Sequence, residues 1–262
     1  MSDWFHALPV AWMFALIFGL CYLGAALPYL VIMLLAKTEW IDSFRHVSPG
    51  FLSPIGVLFG LFVAFTAVQV WNDNDHASAA VDREATALKS VLGLDASFSR
   101  ESQARLRSLI ADHIQEAISQ EWPMLAHRNA TISMTPRHLA EALQLTLDLA
   151  PTTPGQQIAQ REMAQAIEVA LDARRQRILI SRSEISLLKW TCLLIEAACV
   201  LIAIGLVHSQ NRRTAAITMG VFATGLAACL LLIACYDRPF IGELTIPPNS
   251  LQQVLPDTSQ AH

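Results

Sequence analysis

FGLFVAFTAVQVWNDND, residues 59–75, changes character without a break. Phe59 to Trp71 is apolar apart from Thr66 and Gln69. Asn72, Asp73, Asn74 and Asp75 then follow with no proline or glycine between. A helix that passes straight from lipid-compatible to polar has two jobs to do. It shows polar atoms to something wet, and it carries on out of the bilayer.

The whole chain agrees with a membrane setting. Of 262 residues, 53% are hydrophobic and only 15% charged, against about 25% charged in a soluble domain. The net charge of -4 leaves no basic field for nucleic acid. Four segments reach the length of about 20 residues that a bilayer requires: 10–36, 53–71, 187–207 and 217–236. The leader MSDWFH has an acid and no Lys or Arg, and the run after it is too long for a signal peptide. The first segment is therefore expected to be a retained membrane helix, kinked or ended early by Pro28. Trp4, Phe5, Trp40, Trp71, Trp190 and Tyr236 mark the ends of the segments, where rings prefer the headgroup level.

Between the second and third segments the periodicity is helical. Ala77, Val81, Ala85, Leu88 and Leu92 extend the second segment as an amphipathic helix. Ser99 is an N-cap for a helix bearing Leu106, Leu109, Ile110, His113, Ile114, Ala117 and Ile118, which ends near Pro123. Thr135-Pro136 opens a helix with Leu139, Leu143 and Leu147. A last long helix, with Ile158, Ile167, Leu171 and Ile178, is expected to run into the third segment. The prediction is an all-α integral membrane protein with four transmembrane helices and a helical extramembrane domain inserted between the second and third. Its divisions are 1–71, 72–186, 187–236 and an irregular tail, 237–262, containing Pro239, Pro247 and Pro248.

On a wheel of about 100° per residue, Ile55, Phe59, Phe62, Thr66, Gln69 and Asp73 share one sector. Gly56, Gly60, Ala64 and Ala67 fall on another, and Gly56 with Gly60 forms a GxxxG motif suited to close helix packing. Thr66 and Gln69 could bond to neighbouring helices while Asn72–Asp75 sit in water. Alternatively, several copies of the helix surround an axis, with Phe59 and Phe62 as an apolar constriction and Gln69 and Asp73 as a polar mouth. One protomer cannot enclose a pore with one stripe, so this reading requires a closed homo-oligomer.

These residues carry a resemblance. GVLFGLFVAFTAVQVW, followed by HASAAVDREA, is similar to the second helix of bestrophin-type proteins. YDRPFIGELTIPPNSL, with Asp237, Arg238, Pro239, Phe240 and Gly242, resembles the Asn-Pro-Phe-Gly segment after their last membrane helix. In layout the chain looks like the bacterial bestrophin-like family. The resemblance implies a homo-oligomeric ion channel, pentameric in true bestrophins, with the second helix lining the pore and the lipid bilayer, permeant ions and its own copies as partners. The chain departs from the pattern at Phe65-Thr66-Ala67-Val68, which replaces Phe-Arg-Thr-Asn. It also departs at Arg238 and at Glu243, which stands alone where the family has a calcium-binding acidic run. The resemblance therefore carries over neither calcium gating nor anion selectivity.

Glu196 lies near the middle of the third segment. An intramembrane carboxylate is costly unless protonated, paired or wetted. It is either functional or a neutral group bonded to Thr191, Thr218 or Thr224. Arg174, Arg175, Arg177 and Arg182 precede that segment. They either hold anionic lipid headgroups or form a solvated face paired with Glu168, Asp172 and Glu184. Lys37, Arg45, Arg212 and Arg213 lie in the short loops, on the other side from Arg83, Lys89, Arg174, Arg175, Arg177, Arg182 and Arg238. The loop charges favour the cytoplasm for the loops and the others favour it for the domain; helped by the resemblance, the domain and both termini are expected in the cytoplasm of a bacterium, the chain being in the inner membrane. The five cysteines read as small buried hydrophobes, with no metal-ligand spacing. No HExxH, GxSxG or GxxxxGK occurs, so neither an enzyme nor a cofactor is expected. The rival to a channel is a non-conducting membrane scaffold or sensor whose helical domain binds a partner.

Overall fold

A computed structural model describes residues 3–37, 47–127, 129–131 and 136–255. Trp40, Arg45 and Thr135, singled out above, lie outside the described residues. Among the described residues the regular structure is helical throughout: α1 Asp3–His6, α2 Val10–Leu35, α3 Leu52–Leu94, α4 Arg100–Glu116, α5 Trp122–Ala126, α6 Arg137–Asp148, α7 Pro154–Ser181, α8 Leu187–Val207, α9 Arg212–Tyr236 and α10 Asn249–Gln252. The chain divides into two units. One comprises 1–72, 184–238 and 242–244; the other comprises 73–183, 239–241 and 245–262. The helix α3 contributes to both.

The membrane unit holds the four helices long and apolar enough to cross a bilayer, α2, α3, α8 and α9. Pro28 does not end the first: α2 runs on to Leu35. A proline in a membrane helix is tolerated where neighbouring helices satisfy the freed backbone. Gly205 marks a close approach of α8 to α2, since a Cβ there would stand 2.5 Å from Ile32 Cδ1. The core of this unit gathers Ile17, Cys21, Val63, Leu193, Ala197, Met219 and Ile233. Cys199, by contrast, is exposed, so the expectation that every cysteine is buried fails there.

In the helical unit the start and stop signals are local. Ser99 accepts from the Ser102 amide at 3.3 Å and caps α4 as expected. Thr153 and Gln156 form a reciprocal capping box at the start of α7. The helix α6 starts one residue later than expected, with Pro136 outside it. After α4 comes a π-helical turn, Ala117–Glu121, and α5 then takes Pro123 into its first turn. The long helix α7 does not run into the third membrane helix. It ends at Ser181, and α8 restarts at Leu187 behind its own cap, Ser186. The chain after Tyr236 is not a separate tail either. Phe240, Ile246, Leu251 and Val254 are buried with Ile110, Met163 and Ile167 in the core of the helical unit.

Met163 on α7 is fully buried, whereas Leu147 on α6 is 61% exposed. Met163→Ala is expected to cost about 2–5 kcal/mol, read as a lower thermal midpoint in detergent, and Leu147→Ala to leave that midpoint unchanged.

Candidate functional site

The site is built on α3. Its rotation is set by contacts inside the membrane unit. Phe59 is buried with its ring 5.4 Å from that of Phe222 on α9. Val63, Thr66 and Val70 are buried on the same side, and Ile55 and Phe62 pack against the same core. The Thr66 hydroxyl donates to the Phe62 carbonyl at 2.8 Å, a bond within its own helix. Gln69 Oε1 accepts from Lys189 Nζ on α8. In the helical unit, Asp73 accepts from the Ser183 hydroxyl at 3.0 Å.

The stripe Ile55, Phe59, Phe62, Thr66, Gln69 and Asp73 is therefore the side of α3 that the rest of its own chain covers. This corrects the expectation that it lines a lumen, because side chains packed against α9 and bonded to α8 cannot also face a shared axis. The opposite side is open. Val57 is 57%, Leu61 50% and Phe65 71% exposed. Gly56 and Gly60 are exposed too, and a Cβ built on either meets nothing within 4 Å. Among the described residues, Gly56, Gly60 and Ala64 thus pack against no other helix of the chain, whereas Ala67 is half-buried against the core of the membrane unit. Only 11% of the most apolar 18-residue stretch of α3 is buried, against 22%, 39% and 33% for α2, α8 and α9.

Glu196 is half-buried, and its Oε2 has no hydrogen-bond partner among the described residues. The threonines expected to serve it bond elsewhere. Thr191 donates to the Leu187 carbonyl, Thr218 to that of Thr214 and Thr224 to that of Gly220.

Arg174 and Arg177 overturn both readings offered for them. They neither reach headgroups nor form a solvated face; they are buried inside the helical unit. Arg177 Nη2 lies 3.1 Å from Glu84 Oε2 and 2.8 Å from Glu121 Oε2. Arg174 Nε donates to Glu121 Oε1 at 2.7 Å. His113 Nε2 is 2.9 Å from Glu84 Oε1, and the Trp122 ring lies over Arg177 with 4.6 Å from Cζ to the ring centre. Burial alone would raise the Glu84 pKa, but Arg177, the bond from His113 and Arg174 outweigh it and hold the carboxyl below its ordinary value. Arg175 and Arg182 remain exposed, while Asp172 accepts from Gln176 rather than from an arginine. Sequence reading missed Glu84, Glu121 and Trp122. The available signal was Glu84 itself, a charge set among Val81, Ala85 and Leu88 on the apolar face of α3.

The segment after α9 is built residue by residue. Asp237 Oδ1 accepts from the buried Ile185 amide at 2.8 Å, and Oδ2 lies 3.5 Å from His6 Nε2. Arg238 is buried. Gly242 has φ +90, and a Cβ there would meet the His6 carbonyl at 2.7 Å, so no other residue fits. Within the helical unit, the Pro239 carbonyl accepts from the Ile246 amide at 2.8 Å. Phe240 meets the Trp122 ring edge-on at 5.9 Å.

A family model described as Bestrophin-like domain matches residues 9–251. The fold is similar to that of a bacterial bestrophin homologue from Klebsiella pneumoniae. Its zinc-phased crystal structure shares 11% identity and a TM-score of 0.69, covering 90% of this chain and 94% of that one. Two single-substitution variants of that homologue give 12% identity with TM-score 0.69 and 11% with 0.71. Each covers 90% of this chain, and 96% and 95% of its own. No curated protein matches the chain by sequence.

Arg177→Met strands Glu84 and is expected to destabilise the helical unit by about 3–5 kcal/mol, seen as a lower melting midpoint. A depressed carboxyl pKa contributes stability that is full above the ordinary glutamate range and is lost as pH falls through the folded value. Thermal midpoints measured across that acidic range should therefore drop more steeply for wild type than for Glu84→Gln.

Proposed function

The chain belongs to the bestrophin-like family, and from that premise we propose that it is a homo-oligomeric ion channel whose pore is enclosed by copies of α3. The stripe turned to the axis is Val57, Leu61, Ala64 and Val68, leading to Asn72. These residues recur at helical spacing, and all are exposed on the subunit. This single observation carries the reading: the least buried span keeps a continuous face that none of the other described residues covers. One such face per subunit requires a closed ring of copies, as in a pentamer. Gly56 and Gly60 lie on one shoulder of the face, where adjacent copies can approach closely.

Valine and leucine rings make an apolar neck of the kind that gates by dewetting, and Asn72 supplies a polar end. Glu196, with one carboxylate oxygen unpartnered in the membrane unit, is a second candidate for contact with water or ions. The chain resides in a bacterial inner membrane, with the helical unit and both termini in the cytoplasm. Exposed Arg83, Lys89, Arg175 and Arg182, close in sequence to the spans, support that side, and Arg175 and Arg182 are the candidates for binding anionic headgroups.

Purified protein should run as an oligomer, and proteoliposomes should pass ions. Leu61→Ala widens the neck and is expected to raise ion flux about tenfold, a change of about 1.4 kcal/mol in barrier. Phe59→Ala should lower the melting midpoint without raising flux. A monomer, or flux that responds to Phe59 and not to Leu61, would reject this assignment of faces. An intact oligomer that passes no ions would leave the scaffold reading in its place.

A further inference from the structure

The first helix, α1, is a single turn, too short to hold its own shape. Two side chains pin it to the membrane unit. Phe5 is buried in that unit's core. His6 is buried as well, and neither Nδ1 nor Nε2 has a hydrogen-bond partner among the described residues. Opposite the ring stands Asp237, buried just beyond α9. Its Oδ1 accepts from the amide of Ile185, shortly before α8. Its Oδ2 has no hydrogen bond and lies 3.5 Å from His6 Nε2. Both nitrogens and Oδ2 are sealed from solvent, so neither water nor a ligand reaches them.

Buried polar atoms ordinarily find partners, and a sealed carboxylate is costly without a cation. A proton is the one partner that needs no room. Histidine ordinarily changes charge between about pH 5 and 8. We propose that His6 is a proton sensor: on taking a second proton from solvent it pairs with Asp237 and fastens α1 to the junction of α8 and α9. Nδ1 lacks a partner in either state, so the difference rests on Nε2 and Oδ2. A charge-assisted bond of about 2.8 Å needs the two atoms to close by only about 0.7 Å. The charges on the surrounding elements favour the cation. Glu184 adjoins Ile185, Asp3 is on the same turn, and Glu243 follows α9, its Oε2 accepting from the Val10 amide at 3.3 Å. Against these acids stands Arg238, next to Asp237. Lys189 in α8 is turned to Gln69, and α2 carries no charge. Gly242 packs on the His6 carbonyl, so the segment after α9 is held by the same turn. The fastening is complete at acid pH and is lost as pH rises and the ring gives up its proton. This assignment is independent of whether the protein conducts.

The test is hydrogen exchange of the full chain in detergent, read by mass spectrometry on peptides covering residues 4–10 and corrected for the intrinsic rate at each pH. Between about pH 5 and 8, protection of these amides in wild type is expected to fall about tenfold or more, the worth of one bond between ionised partners. His6→Gln should show low protection at every pH. Asp237→Asn keeps an acceptor for the Ile185 amide and removes the charge, so it should be equally flat. Wild-type protection that stays constant across the range overturns the proposal, and this arm needs no variant to fold. A His6→Gln protein that keeps the wild-type pH dependence overturns it too, because another group would then be the sensor. So does an Asp237→Asn protein that keeps it, because the ring would then pair elsewhere.

Discussion

Phe59 packed on Phe222, with Val63, Thr66 and Val70 alongside it, sets the rotation of α3 about its own axis. Lipid tails are as apolar as leucine, so no hydrophobic drive turns a membrane helix one way or another. Steric fit does it instead. Once the two phenyl rings meet, every other side chain on α3 is committed to the subunit or to the outside. The polar group at its end follows suit: Gln69 is turned toward Lys189 on α8. What remains open is a strip of valine, leucine and small residues with Phe65 beside it.

The helical unit uses a different device at the same helix. Glu84 on α3, Glu121 at the end of the π-helical turn and Arg174 and Arg177 on α7 form a buried set of charges. Such groups add little net stability over apolar residues of similar size, because removing them from water costs several kcal/mol per ion. They are exacting about partners, however. An apolar residue tolerates a slipped neighbour, whereas a guanidinium set between two carboxylates does not. The network thereby selects one mutual register for α3, α7 and the turn, with Trp122 closing over Arg177.

Much of the architecture was legible in the residues. The four spans follow from apolar length, and the helical unit from 3.6-residue periodicity. The α4 start follows from Ser99, a hydroxyl placed to meet a free amide. The face of α3 was not legible. In water an apolar stripe marks the buried side, but in a bilayer both sides are apolar and the rule fails. Two phenylalanines read as a constriction and proved to be packing. Arg174 and Arg177 failed for a separate reason. Local spacing offers Glu168 and Asp172, while the carboxylates actually used by Arg177 lie 93 and 56 positions away. The burial of the final segment was hidden as well. Pro239, Pro247 and Pro248 signal irregular backbone, which says nothing about whether Phe240 and Leu251 between and after them find a core.

The π-helical turn Ala117–Glu121 has a bearing on how sequences of this kind line up. Such a turn absorbs one surplus residue within its own loop of backbone. The helical faces before and after it keep the directions that ordinary winding would give them. A homologue one residue shorter at this place would superpose on both flanks, and an alignment would show only a single gap. That gap would fall beside Glu121, so whether the acid survives it separates chains that keep the arginine cage from those that have replaced it with hydrocarbon.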